Sequence, residues 1–354
     1  MNSQERVKRA LRRQLPDRIP RYDGFWSQAH RDIIDQAGAH PDSDIADLFN
    51  FDLRMLGVDT SARLDATTVS EDDHTVVSTD RDGATIRALR DEQTTGEHLS
   101  FAMTDPDVWR TKFRARYQWS RNRVDFKNLR RRYAFWRKQG RYVAFSALDP
   151  FEATWRKCGP VMHMMAYVEH PDWVKDMYAV HTELLEAAWK DLRSEGIECD
   201  GAWYWADIAY KTSSLVSPKS YRALLQPYHR RLNELVHRDG GETIFHSDGN
   251  LHGLLPDLIE AGFDCLQPME VKAGMDVRLL KKQFGDRLAF MGNIDARLFQ
   301  QNDLIALEEE IRSKIEIAKV GGGYMYHSDH SIPPGTTFET YRAAMAMVDK
   351  YGGY

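Results

Sequence analysis

Cysteine is scarce in this chain. The three residues Cys158, Cys199 and Cys265, among 354, stand far apart and in odd number, which excludes a disulfide framework and a CxxC zinc pair. No run approaches the ~20 apolar residues that a membrane helix requires. The opening MNSQERVKRALRRQ is amphipathic and charged, without the apolar core of a secretory signal. Neither sign of charge dominates: 48 Lys plus Arg against 53 Asp plus Glu leaves −5, with a pI near 6.2, which argues against a general nucleic-acid binder. No GxGxxG follows the first strand-like run, so the usual dinucleotide signal is missing. No Pro/Gly/Ser linker divides the chain, and no repeat of fixed period is found. What is present is a composition 42% apolar, 29% charged and 11% aromatic, ample for a folded core. The expectation is a soluble cytoplasmic protein with neither membrane nor nucleic acid among its partners.

Along the chain, Asn2 is placed to cap a first helix, with Glu5 three residues later and Val7, Ala10 and Leu11 on one apolar face. Pro16 and Pro20 end that helix, and 19–23 reads as a short strand. Residues 75–90 read as a hairpin turning at Asp82–Gly83, an appendage on the main body. Residues 121–141 hold nine Lys or Arg interleaved with Phe126, Tyr133, Phe135 and Trp136. This reads as a solvated helix face whose aromatics point inward; exposed aromatics such as Phe135 and Trp136 are the candidates for a homodimer face. From about residue 140 a β-like run, a polar turn and a helical stretch alternate. The runs are 142–148, 202–205, 243–246, 263–267, 288–291 and 324–326; the helices are 172–194, 218–238, 251–261, 277–284 and 304–320. Ser217 and Pro218 open the helix before Gly240–Gly241, and Pro227 should bend it. Such units imply parallel strands with right-handed crossovers. With 19–23 and a strand near 53–58 they make eight, so the expected architecture is an α/β (β/α)8 TIM barrel, one domain over 1–354 with the 60–140 segment inserted in it.

In such a barrel chemistry gathers where strands end. Here almost every run ends in groups that ligate metal or move protons: Asp23, Asp149 with Glu152, Asp207, His246 with Asp248, Gln267 with Glu270, Asn293 with Asp295, and His327, Asp329 and His330. A single Asp after a strand is commonly a helix cap, and Asp149 and Asp295 read equally well as caps. The two HSD segments are the sharpest feature. His and Asp spaced i, i+2 turn side chains into one mouth, and imidazole plus carboxylate suits Zn²⁺ or a similar divalent cation. Candidate metal ligands are His246 and Asp248 first, then His327, Asp329 and His330. Asp207, Glu152 and Asp23 are the candidate catalytic groups. Trp205, Gln267, Phe25 and Trp26 are the candidate substrate contacts, although core packing explains 203–205 equally well.

The segments ERVKRALRRQLPDRIP, SPKSYRALLQPYHRRL, HSDGNLHGLLPDLIEAGFDCLQPMEVKAGMDVRLLKKQFGDRLAFMGNID and GGYMYHSDHSIPPGTTFETY resemble the uroporphyrinogen decarboxylase superfamily. The resemblance implies a (β/α)8 barrel and one of two classes: cofactor-free porphyrinogen decarboxylases, or zinc-dependent methyltransferases that exchange methyl groups with a corrinoid on a partner protein. The decarboxylases carry RQAGRY after the first strand; here the stretch is RYDGFWSQAH, poor in the arginines that grip many carboxylates. The methyltransferases carry HxCG and a late cysteine; here these become His246–Ser–Asp248–Gly and the His327–His330 segment, with no cysteine in either. Carboxylate and imidazole make a harder site, suited to an oxygen-bearing substrate. The expected function is therefore a metal-dependent, corrinoid-linked methyltransferase or demethylase of a small methyl donor or acceptor. The alternative is a cofactor-free decarboxylase or lyase of a small carboxylic acid. A non-catalytic binding protein fits poorly, because binding pockets are more apolar than these strand ends.

Overall fold

The computed structural model describes residues 1–90 and 95–354. Residues 91–94 of the expected insertion lie outside the described part. The strands are β1 (Leu53–Gly57), β2 (Thr67–Glu71), β3 (Thr75–Thr79), β4 (Ala84–Leu89), β5 (Glu97–Phe101), β6 (Tyr142–Leu148), β7 (Gly201–Trp205), β8 (Glu242–Ser247), β9 (Cys265–Pro268), β10 (Ala289–Met291) and β11 (Tyr324–Met325). Seven form a parallel sheet in the order β1-β6-β7-β8-β9-β10-β11, and β2-β3-β4-β5 form a separate antiparallel sheet. The expected hairpin is thus the middle pair, β3 and β4, of a larger appendage.

Alternation along each strand sorts side chains into two layers. Val143, Phe145, Tyr204, Phe245, Leu266, Phe290 and Tyr324 face outward into the apolar layer beneath the helices. Leu53, Tyr142, Ala144, Trp203, Ile244, Cys265, Ala289, Met291 and Met325 face inward and form one cluster. Leu53 and Met325 come from opposite edge strands and meet in that cluster, so the sheet is curled. Burial on both faces is what parallel strands require. The helix Ser3–Leu11, capped by Asn2 accepting from the Glu5 N–H at 2.8 Å, closes one end of the curl by packing Val7, Ala10 and Leu11 into the inner cluster.

The expected strand at 19–23 is reduced to one bridge, Arg21 with Tyr326. Pro20 has no N–H to give a ladder, so the segment bonds through isolated groups, among them the Tyr22 N–H donating to the Tyr326 carbonyl at 3.2 Å. The Pro20 carbonyl accepts from the Tyr326 N–H at 2.8 Å, and the Arg21 carbonyl accepts from the Asp52 N–H at 2.9 Å. A full (β/α)8 barrel is therefore seen only in part: a curled parallel sheet whose two edges both bond to this short segment.

Asp52 holds the junction. Its fully buried carboxylate accepts from Arg6 Nη1 and Ser3 Oγ at 2.7 Å, from Arg18 Nη1 at 2.8 Å and from the Arg21 N–H at 2.9 Å. The basic run 121–141 holds the helix Phe126–Lys138, and some of its charges pair within the chain: Arg121, in the turn before the helix, with Asp191, and Arg137 with Asp200. Trp136 is 5% exposed, which removes it from any dimer face, whereas Phe135 is 52% exposed. Among the described residues no helix is long and apolar enough to cross a membrane. Removing one partner of a buried ion cluster strands the others, so Asp52→Ala should cost about 3–5 kcal/mol in urea unfolding. Arg9→Ala, which breaks an exposed pair with Glu5 and a long exposed bond to the Leu15 carbonyl, should cost no more than about 0.5 kcal/mol. Equal effects of the two would contradict this account of the junction.

Candidate metal centre

The parallel register decides which side chains meet. Trp205 pairs with His246 across β7 and β8, and His246 pairs with Gln267 across β8 and β9. All three belong to the inward set, one layer beyond Trp203, Ile244 and Cys265, and so they form a row at the mouth of the curl. The Trp205 ring lies 4.5 Å from the His246 ring, centroid to centroid, and its indole N–H donates to Ser146 Oγ at 2.8 Å. The loops just past the strands add Asp207 and Asp248. One ligand atom each from Asp207, His246 and Asp248 lies within 4.8 Å of the others. His246 Nε2 is 3.4 Å from Asp207 Oδ1, and the Asp248 N–H donates to that oxygen at 3.3 Å.

The donor set fits a divalent cation. Two ligands of a tetrahedral zinc with bonds of about 2.0–2.1 Å stand roughly 3.4 Å apart, which is the His246–Asp207 spacing already present. On its other side, His246 Nδ1 donates to Gln267 Oε1, which fixes the tautomer and leaves the Nε2 lone pair facing the carboxylates. Gln267 is itself oriented by His327, 3.3 Å from its Nε2. Asp248 Oδ1 is buried and has no hydrogen-bond partner among the described residues. Burial drives His246 towards the neutral form, but Asp207, Asp248 and Gln267 outweigh it and raise its pKa above the ordinary value. Burial pushes Asp207 up, yet His246 and the Asp248 N–H bring it below the usual carboxylate range. The hollow favours positive charge at Nε2.

A cavity of about 330 Å³ opens over this row, lined also by Tyr22, Trp26, Pro268, His327, His330 and Thr95. The Trp26 ring stacks on His330 at 5.8 Å, and His330 Nε2 is 3.6 Å from Asp248 Oδ2. No Lys or Arg is among the described residues lining the cavity.

Several candidates from the sequence sit elsewhere. Both Asp329 oxygens accept backbone N–H groups, from Val271 at 2.9 Å and Ala296 at 2.8 Å, so this carboxylate ties loops together. Asp23 lies below His327 and accepts from the hydroxyls of Tyr326 at 3.0 Å and Tyr341 at 2.9 Å. Phe25 turns from the cavity to pack on Tyr341, 4.9 Å between rings. Glu152, in the helix Pro150–Cys158, accepts from Trp155 Nε1 at 2.5 Å and Arg156 Nε at 2.6 Å. Asp149 caps that helix and accepts from buried His229 at 2.7 Å, and Asp295 caps the helix Ala296–Gln301. Sequence reasoning missed Tyr22, although its position beside Asp23 was a signal. It also missed Thr95, which the appendage brings to the mouth and which no local pattern marks.

Residues 163–351 match the family described as Uroporphyrinogen decarboxylase (URO-D), more than half of the chain. The chain belongs to the uroporphyrinogen decarboxylase family. Among solved structures, a methyltransferase from Methanosarcina mazei is similar over 99% of both chains, with a TM-score of 0.65 at 17% identity, a likeness of fold. A D-psicose 3-epimerase from Clostridium cellulolyticum H10 aligns over 66% of this chain and 83% of its own with a TM-score of 0.36 at 10% identity, too distant to bear on the site. No curated protein sequence matches the chain.

Burial pushes Glu152 up to about 7, with Arg156 opposing and Asp207 assisting. A carboxyl whose folded pKa exceeds its ordinary 4.5 contributes stability below that value and loses it as pH climbs through about 7. Urea midpoints measured across this window should decline more steeply for the wild type than for Glu152→Gln, which cannot ionise. Superimposable profiles would contradict the assignment.

Proposed function

We propose that this protein is a methyltransferase that moves a methyl group between a small, oxygen-bearing substrate and a corrinoid carried by a partner protein. A divalent metal, zinc in first place, would be held by Asp207, His246 and Asp248. His330 is the residue of the terminal segment that stands beside them. The observation that carries this reading is the convergence of one imidazole on β8 and two carboxylates from the loops just past β7 and β8 on one point of a cavity with aromatic walls. The fold shared with a methyltransferase agrees with the reading but does not carry it. We also read the curled sheet as a barrel closed through 20–22, and the three free, buried cysteines as suited to a reducing cytoplasm.

When bound, the metal supplies Lewis acidity at the substrate oxygen, making that oxygen a better leaving group as the methyl departs. The chain's own groups do the rest. Gln267 holds the Nδ1 proton of His246, so Nε2 keeps its lone pair towards the carboxylates. Trp26 and Trp205 wall the cavity and exclude water from the reacting bond. Among the described residues lining the cavity none is Lys or Arg, so the decarboxylase alternative lacks the bidentate arginines that usually grip substrate carboxylates.

Protein purified without chelator should carry about one divalent metal per chain by elemental analysis, and zinc added to stripped protein should raise its thermal midpoint. His246→Ala and Asp248→Asn should lose both effects while keeping wild-type circular dichroism, and a coupled assay with a methyl ether and a reduced corrinoid protein should fall at least a hundredfold. Wild-type protein with no affinity for any divalent cation would overturn the reading. Turnover that survives complete chelation would favour the lyase.

A further inference from the structure

A second hollow, about 670 Å³ in volume and twice the size of the mouth, lies between the turn joining β3 to β4 and the 115–123 segment. We propose that it binds a nucleotide: a flat ring bearing two or more phosphates. Its chemistry is the opposite of the mouth's, for Arg63, Arg81, Arg116 and Arg123 line it, with Asp65 the one carboxylate among the lining residues. A basic recess on a chain of net charge −5 focuses anions locally.

The groove is built rather than incidental. Arg123 is 6% exposed and stitches its two walls together, donating to the carbonyls of Asp59 at 3.1 Å, Ser61 at 2.8 Å and Gln118 at 3.0 Å. Arg63 projects from a backbone held at φ 57°, a conformation uncommon for a side-chain-bearing residue, and donates to Asn122 Oδ1 at 2.6 Å. Arg81 Nη1 is 3.1 Å and Arg63 Nε 3.8 Å from the same Asp59 Oδ2, so one carboxylate behind the groove is shared by two arginines. Arg116 is the exception in its segment. Arg110, Arg114 and Arg121 each pair with a carboxylate, whereas Arg116 donates only to the Lys112 carbonyl among the described residues, leaving its outer guanidinium nitrogens to the groove. Arg123, whose donors go to backbone carbonyls, holds the walls, while Arg116 and the guanidinium nitrogens of Arg63 and Arg81 not turned to Asn122 or Asp59 are the groups that fit phosphate oxygens.

The ring requirement comes from Trp119. Its indole N–H is anchored on Asp191 Oδ2 at 2.9 Å, which fixes the ring plane, and the ring borders both this groove and a second hollow of about 380 Å³. Stacking of a nucleobase on a held tryptophan is worth about 1–3 kcal/mol, or five- to 150-fold in affinity. The volume falls within the range of small-molecule sites, roughly 300–1,000 Å³.

Calorimetric titration of the full chain with ATP, inorganic triphosphate and adenosine tests the proposal. ATP should bind saturably with an affinity that falls steeply as salt rises. The paired changes Arg63→Ala (half-buried) and Arg116→Ala (exposed) should weaken ATP and triphosphate at least tenfold, and Trp119→Leu should weaken ATP at least fivefold but triphosphate hardly at all. His246→Ala should leave every one of these values unchanged, separating this site from the mouth. Absence of saturable ATP binding, or binding indifferent to the arginine changes, would overturn the proposal. Triphosphate binding as tight as ATP, with no effect of Trp119→Leu, would overturn its nucleotide half.

Discussion

Trp205, His246 and Gln267 stand side by side because three parallel strands keep one register, and a slip of a single residue would turn His246 out into the helix layer where Phe245 now packs. The apolar neighbours guard against that slip. Trp203, Ile244 and Cys265 fill the layer beneath, and Tyr204, Phe245 and Leu266 fill the outer face, so moving β8 would bury an imidazole among rings and expose a phenylalanine to the hollow. The row at the mouth is thus held by the hydrophobic pattern of residues that never touch it. Polar bonds then refine the placement: Ser146 on Trp205, Gln267 on His246, and His327 on Gln267.

Two regions of opposite charge follow from this architecture. At the mouth, carboxylates gather with imidazoles, with no Lys or Arg among the described lining residues, an arrangement that raises His246 and holds Asp207 low. On the appendage, arginines gather around a recess walled by Trp119. Thr95 lets the appendage reach the mouth, while Tyr117 donates to Asp82 in the hairpin turn at 2.8 Å and lies under the Lys157 ammonium of the helix that carries Glu152. The inserted sheet is therefore bonded to the body on the side of the mouth.

Much of this was legible because it is local. Strand ends could be read from β-like runs stopping at polar residues, and the helix cap at Asn2 from its spacing to Glu5. His246 and Asp248 share a side because two residues is one strand period. What escaped was non-local or aperiodic. Asp23 is claimed by Tyr341, 318 residues away, and Asp329 is claimed by two loop amides. Beyond a strand's end no period distinguishes Asp329 from His330, or Phe25 from Trp26. Glu152 is a different case: its bond to Arg156 is an ordinary i, i+4 helix pair visible in the sequence, and it identifies a residue occupied by its own helix.

The central claim is that this member of the family binds its metal through oxygen and nitrogen alone, and X-ray absorption at the bound metal's K-edge tests that claim most directly. The account predicts a single shell of light scatterers at about 2.0–2.1 Å with the multiple-scattering signature of imidazole. A sulfur shell near 2.3 Å, or an edge belonging to an ion with no imidazole in its shell, would contradict it.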